Sequence, residues 1–192
     1  METKYERTIF NSCFAMLLYY PASFILKLCG WKVDNDISQS FRKYIMVAAP
    51  HTSNWDFFYG MLFVFKIRLR NFRAIGKDSL TNNPLGFIAK WLGILPIDRS
   101  KSQNTVTKIA MMMKDFDDIV IAIAPEGTRK KVNTWKTGFY HIAQEANIPI
   151  LLAYIDRKKK LIGFIKEFVP TGNIETDIAN IRNIYTDKIG IR

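Results

Sequence analysis

The stretch "APHTSNWDFF" (residues 49–58) holds His51, one of the chain's two histidines, with Asp56 five positions on. Histidine exchanges a proton near neutral pH. A carboxylate that fixes its tautomer completes half of a general-base catalyst. The same residues also suit a plainer purpose, a turn into a helix with Thr52 or Ser53 as N-cap and Asp56 in the first turn. On this stretch alone both readings stand.

A second polar loop, "EGTR" (126–129), offers Glu126 for hydroxyls and a flexible Gly127. Thr128 adds a donor, and Arg129 adds a planar fork for an oxyanion. Its bland counterpart is a polar loop with a basic rim. The segment "IDRS" (97–100) brings Arg99 at another apparent strand end, a weak signal by itself. Other chemistry finds no support. Ser53 lacks a G-x-S-x-G elbow, and no Walker or dinucleotide glycine loop exists. Two histidines and two cysteines at unrelated positions form no zinc set, so no metal is expected. His141 falls in a helical pattern and reads as a surface or half-buried residue.

The elements that must position these loops follow from apolar runs and their punctuation. "YIMVAAP" (44–50) and "DIVIAIAP" (118–125) are short apolar runs ended by proline, the mark of buried strands. Each delivers its polar loop directly after the strand. "NFRAIG", "GILPID", "IPILLAYI" and "LIGFIKEFV" read as further strands. Helices are expected in "WDFFYGMLFVFKIRL", in "PLGFIAKWLG" with Gly93 past its end, and in "SQNTVTKIAMMMKDF" with Ser102 as cap. Two more are expected in "TGFYHIAQEAN" and from Asp177 onward. Strands alternating with helices predict one α/β domain with a central mixed, largely parallel sheet. In such sheets the ligand crevice lies at the carboxyl ends of the strands, which would bring "HTSNWD" and "EGTR" to one cleft.

The totals narrow the partner. Against 17 Asp and Glu stand 28 Lys and Arg, a net charge of +11 that favours nucleic acid, anionic lipid or a phosphorylated substrate. Hydrophobic residues make up 48%, so the chain has a core to bury. Cys13 and Cys29 offer no disulfide framework and fit a reducing compartment. From Ile9 to Leu26 the sequence carries no charge, but Pro21 interrupts it and no small-residue cleavage site follows. The expectation is two short helices broken near Pro21, lying in a membrane interface with Lys4, Arg7, Lys27 and Lys32 at headgroup level. The plainer alternative is a helical pair in an ordinary core. Residues 1–40 are thus set apart from a domain over 41–192.

Taken in order, four segments resemble the blocks of the glycerolipid acyltransferase superfamily, most closely the bacterial 1-acyl-glycerol-3-phosphate acyltransferases. His51 and Asp56 match the H-x4-D motif, with Ser53 where serine is common. The segment 77–99, "KDSLTNNPLGFIAKWLGILPIDR", resembles the second block. "PEGTR" (125–129) matches the third, and "KTGFYHIAQEANIPI" (136–150) resembles the fourth. Pro50 departs from the asparagine that often precedes the histidine.

The resemblance implies transfer of a fatty acyl group from an acyl-CoA or acyl-carrier-protein thioester to a lysophospholipid hydroxyl, with no cofactor. It makes His51 the base and Asp56 its orienter. It assigns Lys77, Arg99 and Arg129 to the acceptor phosphate, and Glu126, Gly127 and Thr128 to the acceptor site. It implies a monotopic enzyme on the cytoplasmic face of the bacterial inner membrane, in contact with anionic lipid. Two alternatives remain open at this level. One is the same chemistry on an amino-acid lipid or glycolipid precursor. The other is a basic nucleic-acid-binding module, which would lack any RNP, KH or helix-turn-helix signature here.

Overall fold

The computed structural model describes residues 8–11, 13–34, 41–97, 102–130 and 132–189. Seven strands form one sheet in the order β1-β7-β6-β2-β5-β3-β4. They are β1 (Lys32–Asp34), β2 (Lys43–Ala49), β3 (Phe72–Lys77), β4 (Ile94–Ile97), β5 (Ile119–Ile123), β6 (Ile150–Asp156) and β7 (Leu161–Phe168). Strands β2 to β6 run parallel to one another, whereas β7 is antiparallel to β6 and parallel to β1. The sheet is therefore mixed and largely parallel. The carboxyl ends of β2, β3, β4 and β5 share one edge.

Both faces are covered, which is why the central strands read as continuous apolar runs. On one face Ile45, Val47, Ile121 and Ile150 meet α5 (Ser102–Lys114), α6 (Gly138–Ala146) and α7 (Ile174–Ile189) through Met113, Phe139 and Tyr185. On the other, Tyr44, Met46, Val120 and Leu151 meet α3 (Asn54–Lys66) and the N-terminal segment through Leu62, Phe63, Phe10 and Leu26. The period-2 alternation along β2 and β6 divides the two cores. Short α4 (Gly86–Trp91) links β3 to β4. The turn after it needs Gly93, whose φ is +83° and where a Cβ would lie 2.7 Å from the Phe72 carbonyl oxygen.

The N-terminal apolar run does form two short helices, α1 (Cys13–Leu17) and α2 (Tyr19–Leu28), but they part at Leu18 rather than near Pro21. Pro21 sits in the first turn of α2, where a missing N–H costs no helical hydrogen bond. Helix α2 lies antiparallel to α3: Lys66 Nζ donates to Tyr19 Oη at 3.1 Å near one end, and the Trp31 ring packs, tilted, 4.4 Å from that of Tyr59 near the other. Ile9, Phe10, Ala22 and Leu26 are buried in the second core, while Leu17, Tyr20, Phe24 and Leu28 face outward. Strand β1, where the sequence predicts no strand, joins the same sheet. Among the described residues no helix is long and apolar enough to cross a membrane.

Candidate active site

Strand β2 ends at Ala49, and the chain turns through His51 into α3. The turn is fixed by a capping box. Ser53 Oγ accepts from the Trp55 N–H, and Asp56, at the third helical position, reaches back to the Ser53 N–H. Asp56 Oδ2 takes backbone N–H bonds from Thr52 at 2.6 Å and Ser53 at 2.7 Å, and the Thr52 hydroxyl at 3.3 Å. That same oxygen stands 3.9 Å from His51 Nδ1. One buried carboxylate therefore caps the helix and also faces the imidazole.

Strand β5 pairs directly with β2, so the loop after Ile123 lies against the loop after Ala49. Glu126 Oε1 accepts the backbone N–H of His51 at 3.1 Å. Arg129 Nη1 donates to Asn54 Oδ1 at 2.6 Å. Two carboxylate oxygens, Asp56 Oδ1 and Glu126 Oε2, are buried without a hydrogen-bond partner. Unpaired buried acceptors are costly, which makes them receptive to a donor from a ligand or from His51. A cleft of about 550 Å³ opens between the loops, lined by residues 52–55 and 128–130.

Electrostatics follow from this partial burial. Desolvation lowers the His51 pKa from 6.5, opposed by the Asp56 charge and reinforced by Arg129. Neutral imidazole, the form able to accept a proton, is thus favoured. Glu126 moves the other way: burial pushes its carboxyl above 4.5, against hydrogen bonds that favour the anion.

Of the residues singled out in the sequence, His51, Asp56, Glu126, Thr128 and Arg129 are brought together. Gly127, φ +62°, shapes the second loop, and a Cβ there would lie 2.9 Å from Lys136 Cε. Lys77 is exposed at the end of β3, in the neighbouring strand position but outside the cleft lining. Arg99 lies outside the described residues. His141 is exposed on α6. Trp135 is packing, 5.4 Å from the Tyr185 ring, whereas Trp55 is 56% exposed and lines the cleft.

Sequence reasoning missed three contributors. Asn54, inside the H-x4-D motif, holds Arg129 in place. Lys130 completes the cleft rim. Tyr185, on the last helix, donates its buried hydroxyl to the carbonyls of Val47 at 2.7 Å and Ala153 at 2.9 Å. Its burial, with the nearby Glu126 charge, raises its pKa well above 10, so it stays a donor beneath the His51 turn.

A parallel-strand edge carrying a half-buried histidine beside a buried carboxylate, with an arginine loop next to them, is the candidate site of an α/β enzyme. The acyltransferase family matches residues 32–156, and the chain belongs to that family. Its structure is similar to the crystal structure of the 1-acyl-sn-glycerophosphate (LPA) acyltransferase PlsC from Thermotoga maritima, with a TM-score of 0.63 and 15% identity. That likeness covers 91% of this chain and 78% of the other. No curated protein matches the sequence.

Proposed function

We propose that the enzyme transfers a fatty acyl group from a thioester, on coenzyme A or acyl carrier protein, to the free hydroxyl of 1-acyl-glycerol-3-phosphate. The observation that carries this reading is the placement of His51 Nδ1 at 3.9 Å from the buried Asp56 carboxylate, beside a cleft rimmed by Arg129. With Nδ1 turned to Asp56, Nε2 is the nitrogen left to take the proton of the acceptor hydroxyl. The hydroxyl oxygen attacks the thioester carbonyl as that proton moves to His51. Collapse of the tetrahedral intermediate breaks the carbon–sulfur bond and releases the thiolate, which recovers the proton from the imidazolium. Asp56 stabilises that imidazolium. The 3.9 Å separation is long for a hydrogen bond, and such contacts shorten when substrate binds. No nucleophilic serine or cysteine is required, because the acceptor attacks directly.

Arg129, Lys77 and Arg99 suit the acceptor phosphate, and Glu126, Gly127 and Thr128 its glycerol end. The outward apolar face of α1 and α2, with the net charge of +11, supports a monotopic seat on an anionic membrane surface at the cytoplasmic face. The similar solved structure, that of an LPA acyltransferase, supports the choice of acceptor. The test is thioester release by the purified protein with acyl-CoA or acyl carrier protein across a panel of lysolipids. Lysophosphatidate should be the preferred acceptor, and equal use of monoacylglycerol would refute the phosphate assignment. His51→Ala should lower turnover by at least ~10²-fold.

A further inference from the structure

We propose that segment 78–91, between β3 and β4, is a second lipid-contacting element that seats in the bilayer interface beside the N-terminal helices. The inference rests on the membrane reading above. Leu85 is 65% and Phe87 67% exposed, and Leu80, Ile88 and Trp91 are exposed with them. Large apolar side chains crowded onto one short surface segment mark a contact site.

The segment presents them from a rigid base. Asn83 Nδ2 donates to the carbonyls of Ser79 at 3.0 Å and Leu80 at 2.9 Å, while its Oδ1 accepts from the Leu85 N–H at 2.9 Å. Asp78 Oδ1 accepts from the Ser79 N–H, and the Asp78 carbonyl accepts from Thr81 and Asn82. A Cβ at Gly86 would fall 2.0 Å from the Thr81 carbonyl oxygen, so the turn is packed to contact. Backbone groups satisfied within the segment tolerate removal from water, the condition for sitting in lipid.

Placement and charge select a bilayer over a protein partner. The segment begins at the carboxyl end of β3, the sheet edge that carries the cleft, immediately after the exposed Lys77. Two residues past its end stands Gly93, where a Cβ would lie 3.4 Å from the Phe10 ring. Phe10 is buried in the N-terminal segment, whose outer face carries Leu17, Tyr20, Phe24 and Leu28, so the base of the loop packs on the element that presents the first apolar surface. Tryptophan and phenylalanine at the rim of a basic protein match an anionic headgroup region.

The test is co-sedimentation of the full chain with phosphatidylglycerol/phosphatidylcholine vesicles. Phe87→Asp/Ile88→Asp should lower partitioning at least ~10-fold. Transfer to a short-chain soluble lysophosphatidate should stay within about twofold. Phe24→Asp/Leu28→Asp should lower partitioning as well. Wild-type binding with an unaffected Phe87/Ile88 variant would overturn the inference alone. Failure of the wild type to sediment would overturn the membrane reading and this inference with it. An independent readout is tryptophan quenching by brominated phosphatidylcholine. Trp91→Phe should remove a large share of the wild-type quenching, and unchanged quenching would also overturn the inference.

Discussion

The backbone N–H of His51 donates to Glu126 Oε1 at 3.1 Å, across 75 positions of sequence and from the end of one parallel strand to the loop after its neighbour. This bond ties the candidate base to the second loop and sets where the imidazole can stand. A neutral amide oxygen can accept it as well as a carboxylate. Glu126→Gln should therefore keep most of kcat, whereas Glu126→Ala, which strands the His51 N–H, should lose about 5- to 150-fold. Steady-state kinetics with thermal melts of both variants check this. Equal loss in the two would mean that the charge, not the tether, is what counts.

Asp56 has two tasks, and substitution separates them. Asparagine retains an oxygen for the Thr52 and Ser53 N–H groups, so the helix cap survives in Asp56→Asn. It removes the charge that would stabilise an imidazolium. Turnover should fall by ~10²-fold or more with little change in Tm. Asp56→Ala should lose a further ~1 kcal/mol of stability, the usual worth of a cap. A fully active Asp56→Asn would reduce the residue to a helix cap.

The pH profile follows from the environment of His51. Burial lowers its pKa, Asp56 raises it, and Arg129 lowers it again, with the net shift downward from 6.5. Base catalysis needs the neutral ring, so activity should be lost as pH falls through the lowered value. The acid limb of kcat/KM should therefore have its midpoint below 6.5. Arg129→Ala removes a positive charge that disfavours the imidazolium and should move that midpoint upward. A midpoint above 6.5 in the intact enzyme would contradict the burial described here.

Strand and helix positions were legible because each apolar run ended in proline, glycine or a polar loop, and because both sheet faces are covered. The order of the strands was not. That β5 inserts between β2 and β3 is a long-range choice, and it is what places Glu126 on His51. Strand β1 carries only three residues and depends on β7, far along the chain, for its pairing. Proline suggested the wrong break in the N-terminal helices because a first-turn proline leaves no local mark. The burial of Ile9, Phe10, Ala22 and Leu26 was hidden in a run that is apolar on every side. It makes deletion of residues 1–30 a test of folding, not of membrane attachment. Tyr185 could not be read at all, since a tyrosine in a helical tail carries no sign of the carbonyls it meets.

The phosphate assignment leads to the sharpest test of the cleft. Arg129 lines it, and its guanidinium already has one fixed partner, Asn54 Oδ1 at 2.6 Å. A guanidinium has five donors, so a side chain oriented through one still offers others in a fixed plane to an oxyanion. Orientation before binding reduces the ordering cost that a free arginine would bear. Arg129→Ala should therefore raise KM for lysophosphatidate by about 10- to 150-fold, the range of one charge-assisted hydrogen bond. KM for the acyl donor should change much less. Asn54→Ala leaves the charge but frees the side chain, so it should raise the same KM in the same direction by a smaller factor. Arg129→Lys keeps the charge without the planar fork and should fall between the two. If Arg129→Ala instead raises KM for the thioester donor while lysophosphatidate is untouched, the arginine serves the donor's phosphates. The acceptor phosphate would then rest on Lys77 and Arg99.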